Sequence, residues 1–125
     1  MGEYQTFENL NIWIKSKDLT IQIYELSKKF PEEERYGLIS QIRRSASSIP
    51  ANIAESQGRF HFSETINFLL IARGSLEETR SHLMIAKELN YISDEAFLNL
   101  NNEYLGLLKG LNVFIKSLRS KKSSL

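Results

Sequence analysis

Four arginines, Arg43, Arg44, Arg59 and Arg73, stand within or at the edge of segments whose apolar residues repeat with helical spacing, at positions where a bundle prefers apolar side chains. The guanidinium group presents a planar fork of donors that fits a phosphate or a carboxylate. Two readings follow. In one, these arginines join Ser48, Asn52, Glu55 and Glu77 in a buried or inter-subunit polar network that sets helix register, with Arg73–Glu77, Arg44–Ser48 and Glu55–Arg59 as i, i+4 pairs. In the other, the arginines contact phosphates. A second group of cations closes the chain. Through Glu103 there are 11 basic and 15 acidic residues; from Tyr104 onward there are five basic ones, Lys109, Lys116, Arg119, Lys121 and Lys122, and none acidic. Such a basic end attracts anions, and it equally suits the negative end of a helix dipole and a frayed terminus.

Other chemistry finds little support. With no cysteine there is no thiol nucleophile, thiolate site or disulfide framework, which fits a reducing cytoplasm. The histidines are His61 and His82; Thr79 stands three residues before His82 and Glu78 four, so the paired Glu-x-x-His units of a bundle di-metal site are missing. There is no Gly-rich phosphate loop and no Gly-x-Ser-x-Gly. Arg73-Gly74-Ser75-Leu76 lacks a strand-turn-helix setting, and Gly74 and Ser75 read as small residues at a helix contact. Glu77 and Glu78 project from adjacent helix positions and do not converge on one atom. A protein without catalysis, metal or cofactor is expected.

Four helical segments must position these side chains. The first runs from Phe7 to Phe30, with Ile12, Leu19, Ile23, Leu26 and Phe30 on one stripe. Phe30-Pro31 ends it, and Pro31 with Glu32, Glu33 and Glu34 suits the first turn of the second. That helix continues through Leu38, Ile42, Ala46, Ile49 and Ile53 to about Gly58, with Pro50 expected to remove one hydrogen bond, press on the Ala46 carbonyl and kink the axis. The third begins after Ser63 as N-cap and ends near Leu89. The fourth opens with Ser93 as N-cap, and its seam of Phe97, Leu100, Tyr104, Leu107, Leu111, Phe114 and Leu118 keeps strict three-four spacing. Gly106 and Gly110 permit a close helix approach or are merely tolerated.

Short connections make consecutive helices antiparallel, so the expected fold is all-α: an up-down-up-down four-helix bundle over residues 1–118, followed by a basic flexible tail over 119–125. No segment is apolar for long enough to span a membrane. The apolar rows are wider than one bundle seam requires, which suggests a further face buried between subunits.

Several spaced motifs resemble one family. Gln41-Ile42-Arg43-Arg44-Ser45, then Ser48-Ile49-Pro50-Ala51-Asn52-Ile53-Ala54-Glu55, then Phe68-Leu69-x-Ile71-Ala72-Arg73-Gly74-Ser75-Leu76-x-Glu78 look like the bacterial proteins encoded in intervening sequences of 23S ribosomal RNA genes. Phe30-Pro31-x-x-Glu34-x-Tyr36-Gly37-Leu38 resembles that family's first turn, and Ser56 departs from it where glycine is usual. The resemblance runs from Phe7 to about Leu118. It implies a four-helix bundle assembled as a homopentameric ring, and no known reaction. A similar bundle, the accessory variability determinant of diversity-generating retroelements, is a strongly basic pentamer that binds nucleic acid, whereas this chain has a formal charge of +1.

The function expected is thus that of a cytoplasmic, oligomeric adaptor associated with RNA or DNA, with Arg43, Arg44, Arg59, Lys109, Lys116, Arg119, Lys121 and Lys122 as its nucleic-acid contacts. The alternative is a scaffold that docks a partner protein. The partners expected are further copies of the chain, a nucleic acid or a protein, and no membrane. The aromatic residues fall mostly on core stripes, leaving no interleaved pattern for base stacking.

Overall fold

A computed structural model describes residues 6–123. A 3₁₀ turn, Phe7–Asn9, leads into α1 (Asn11–Ser27), and a second, Glu32–Glu34, precedes α2 (Leu38–Gln57). Then follow α3 (Phe62–Glu88) and α4 (Asp94–Ser123), with no strand among the described residues. Contacts between helices set their directions. Thr20 meets Ala46 and Ser27 meets Arg43 across α1 and α2. Ser45 meets Thr79 and Ser48 meets Ser75 across α2 and α3. Arg73 meets Asn112 and Arg80 meets Asn101 across α3 and α4. Lys15 pairs with Glu103, and Ile12 lies against Gly110, across α1 and α4. In every case numbering rises on one helix as it falls on its neighbour, which makes the up-down-up-down arrangement.

The core is the set of stripes that faces inward. Leu19, Ile23, Ile42, Ile49, Ile53, Leu69, Leu76, Leu83 and Leu111 are wholly buried, each stabilising the fold by about 1.5–3 kcal/mol relative to exposure. On α4 every expected seam residue from Phe97 to Leu118 is buried except Phe114, which is half-buried while Ile115 takes its place in the core. A straight helix drifts against a strict three-four repeat by about 20° per heptad, so one position of the buried row shifts before Leu118 rejoins it. Small residues let α2 and α3 pack closely, and their hydroxyls pair: Thr79 Oγ1 donates to Ser45 Oγ over 2.8 Å, and the Ser48 and Ser75 hydroxyls lie 2.9 Å apart.

The first helix is shorter than the expected Phe7–Phe30, at Asn11–Ser27 with Phe7–Asn9 as a separate 3₁₀ turn, and the chain differs from expectation in three further places. The run Glu32–Glu34 does not open α2. It forms its own 3₁₀ turn, and the Glu34 carboxylate caps α2 from outside, Oε1 accepting the Leu38 N–H over 3.1 Å while Oε2 accepts the Tyr91 hydroxyl over 2.8 Å. Those two bonds favour the ionised form and hold Glu34 below the usual carboxylate range. Gly37 leaves room for the cap, because a Cβ there would sit 2.7 Å from Glu34 Oε1. Second, α3 begins at Phe62 with His61 as N-cap residue, two residues ahead of the expected Ser63 cap. Third, α4 is helical through Ser123, so residues 119–123 extend the last helix; residues 1–5 and 124–125 of the expected domain and tail lie outside the described residues. Ser93 does cap α4, its Oγ accepting the Ala96 N–H over 3.0 Å.

Pro50 lies inside α2 without ending it. Proline has no N–H to give the carbonyl of Ala46, and the Thr20 hydroxyl of α1 fills that gap, 3.0 Å from Ala46 O and 2.8 Å from Ser16 O, with one proton shared between them. A break in one helix is thereby satisfied by its neighbour, which ties α1 to α2 at that level.

Candidate nucleic-acid interface

The mid-helix arginines are engaged within the bundle. Arg43 reaches the C-terminal turn of α1: Nε donates to Ser27 Oγ over 2.8 Å, Nη2 to the Tyr24 carbonyl over 3.2 Å, and the guanidinium lies 4.8 Å from the Tyr24 ring centre. Arg44 pairs with Glu78 on α3 and donates to Gln41 Oε1 over 2.9 Å. Arg59 pairs with Glu55, as the spacing suggested, and lies 4.4 Å from the Phe68 ring centre. Arg73 does not take Glu77; its Nη1 donates to Asn112 Oδ1 on α4 over 2.9 Å, and Glu77 accepts from Arg80 over 2.8 Å. Nor does Arg44 bond Ser48, whose hydroxyl meets Ser75 and Asn52 Nδ2, the latter at 3.0 Å. Arg73 and Arg44 each reach a partner on a facing helix, Asn112 and Glu78, which spacing along one helix does not reveal.

The basic end of α4 is different in kind. Lys109, Lys116, Arg119 and Lys122 are exposed and have no ion-pair partner among the described residues. Lys109 and Lys116 border a shallow depression of about 340 Å³ on the outer face of α4, whose floor includes Leu105, Leu108 and Val113. Lys121 lines a second cavity of about 270 Å³ together with Arg59, at the end of the bundle where the α2–α3 connection passes α4. The opposite end carries Glu32, Glu33 and Glu34 beside Tyr91 and the acidic first turn of α4, Asp94 and Glu95. The bundle therefore has an acidic pole and a basic pole, and the near-neutral total conceals a segregated charge. Of the expected contacts, Arg59, Lys116, Arg119, Lys121 and Lys122 share the basic end; Arg43 and Arg44 are held on the α1–α2–α3 side.

Sequence reasoning missed one residue there. Phe60, in the connection between α2 and α3, is 94% exposed, with its ring edge-to-face on His61 at 5.2 Å between centres. The signal was an apolar aromatic directly after Gly58-Arg59, off any helical stripe. Two buried polar atoms elsewhere lack partners among the described residues: His82 Nδ1, whose other nitrogen is 3.3 Å from Glu78, and the Tyr104 hydroxyl. Burial pushes the Tyr104 phenol far above its ordinary value. Among the described residues, no three His, Asp or Glu side chains gather as a metal site, and no helix is long and apolar enough to cross a membrane.

The fold and this surface define an all-helical, antiparallel four-helix protein with a cationic end. Its family is shown by the match of residues 8–113 to the model of the 23S rRNA-intervening sequence protein, and the chain belongs to that family. A crystal structure from Bacteroides thetaiotaomicron, a protein of unknown function in the S23 ribosomal protein family, is similar at 31% identity and TM-score 0.78, covering 84% of this chain and 98% of that one. No curated protein matches the chain.

Proposed function

We propose that the protein is a non-catalytic, cytoplasmic, homo-oligomeric adaptor that binds nucleic acid, with RNA as its principal ligand, through the C-terminal half of α4. The observation that carries this reading is the set Lys109, Lys116, Arg119 and Lys122, exposed and without ion-pair partners among the described residues. Cations already paired with carboxylates gain little from a phosphate, whereas these four release counterions from a polyanion at no cost in broken salt bridges. Self-association is supported by the exposed apolar residues Ile14, Ile21 and Leu98, away from these cations, and the pentameric ring is the form that the family resemblance implies.

The alternative, a scaffold for a partner protein, is favoured by the open seam between α1 and α4, where Ile21, Leu26 and Leu100 border a cavity of about 430 Å³. Fluorescence anisotropy with a structured RNA separates the two. Reversal of all four cations to glutamate is expected to abolish binding with helicity and assembly mass unchanged. Full affinity in that variant would remove α4 as the interface, and a wild-type protein that binds no RNA or DNA at low salt would leave the scaffold.

A further inference from the structure

The basic pole also contains the parts of a site for a single base. Phe60 projects its ring into solvent at the mouth of the 270 Å³ cavity, while Phe62 and Phe114 form its apolar wall. Arg59, paired with Glu55, and Lys121 border it, and Arg119 and Lys122, without ion-pair partners among the described residues, stand on the same turns of α4. Gln57 lines the same cavity; one amide hydrogen reaches Ser56 Oγ over 3.3 Å, which leaves its carbonyl oxygen and second amide hydrogen for a ligand edge. The volume lies just below the roughly 300–1,000 Å³ typical of small-molecule pockets, a size for one planar ring system and not for a helix or peptide segment. Aromatic faces, an amide and cations are the elements with which proteins hold unpaired bases, the ring supplying stacking and the cations the backbone contact.

We infer that this cavity takes an unpaired nucleobase of single-stranded RNA, stacked on Phe60, with the adjoining phosphates on the C-terminal turns of α4. The inference rests on the nucleic-acid reading above and adds a preference that charge alone does not produce: single strand over duplex, because a paired base has no free face. It also accounts for an aromatic ring kept in water at a loop, where burial of an apolar surface would otherwise be expected.

The test compares a labelled single-stranded RNA with the duplex of the same sequence, by anisotropy at fixed salt. Phe60→Ala is expected to weaken single-strand binding by roughly 5- to 150-fold, the worth of one base–aromatic stack, with duplex affinity, salt slope and assembly mass unchanged. Phe60→Trp is expected to retain single-strand affinity. The substitution lies on an exposed side chain, so folding is preserved. Equal single-strand affinity in Phe60→Ala and wild type overturns the inference, as does an equal loss on both ligands or a change in assembly mass, which would place Phe60 between subunits. If Phe60→Ala is silent while reversal of Lys116 and Arg119 abolishes binding, the stacking site fails and the adaptor stands. If wild-type protein binds neither RNA, both fall.

Discussion

Replacing Thr20 with valine removes one hydroxyl and almost no volume, and its cost measures how α2 tolerates Pro50. In the wild-type chain the Ala46 carbonyl, on a fully buried residue, has lost its helical donor to proline and accepts from Thr20 Oγ1 at 3.0 Å. Thr20→Val leaves that oxygen without a donor, and an unsatisfied buried polar group costs about 1–3 kcal/mol. In a domain of this size that is a fall in Tm of roughly 3–15 °C. Urea unfolding followed by circular dichroism, at fixed protein concentration because assembly raises apparent stability, reads the loss directly. The decisive comparison is in a Pro50→Ala background, where an alanine N–H again reaches Ala46 O. There the cost of Thr20→Val is expected to fall to a few tenths of a kcal/mol, giving a coupling of about 1 kcal/mol or more. An identical cost in both backgrounds would refute the idea that Thr20 serves the proline gap.

Three further outcomes are expected. Because the folded state depresses Glu34, that carboxylate contributes stability that is full above its unfolded value of about 4.3 and is lost as pH falls through the lower folded value; Glu34→Gln should therefore show a shallower acid limb in denaturation midpoint against pH, and an unchanged limb would contradict the cap. Tyr104→Phe removes a buried hydroxyl that has no partner among the described residues, so stability by urea unfolding should stay level or rise by about 1 kcal/mol; a loss beyond that would reveal a partner for the phenol. Arg43→Ala severs the bonds to Ser27 and Tyr24 and should destabilise by about 1–3 kcal/mol with RNA affinity unchanged in anisotropy; a loss of affinity at full stability would return Arg43 to the interface.

The bundle was legible because burial follows period. The stripes Leu19–Ile23, Ile42–Ile49–Ile53 and Phe97–Leu111 occupy the core as their spacing requires, and Ser93 caps α4 as its type suggests. The acidic run misled because Pro31 and three glutamates suit a first helical turn as well as a 3₁₀ turn, and only Tyr91, 57 residues away, commits Glu34 to capping from outside. Local spacing likewise proposed Arg73–Glu77, while the partner that wins, Asn112, belongs to another helix. Such choices depend on which residues the fold brings opposite one another. The basic end was visible as a run of like charge. The neighbourhood of Phe60 was not, because its cavity is assembled from α4 and the α2–α3 connection, distant in sequence.

The central claim is most directly tested by the salt dependence of RNA binding by the wild-type protein. Engagement of Lys109, Lys116, Arg119 and Lys122 predicts a log–log slope of about −2.8 to −3.6 for each subunit in contact, near −0.7 to −0.9 per neutralised phosphate, and no measurable binding in the four-fold reversal. Binding that is absent at low salt, or present with no dependence on salt, would contradict the account.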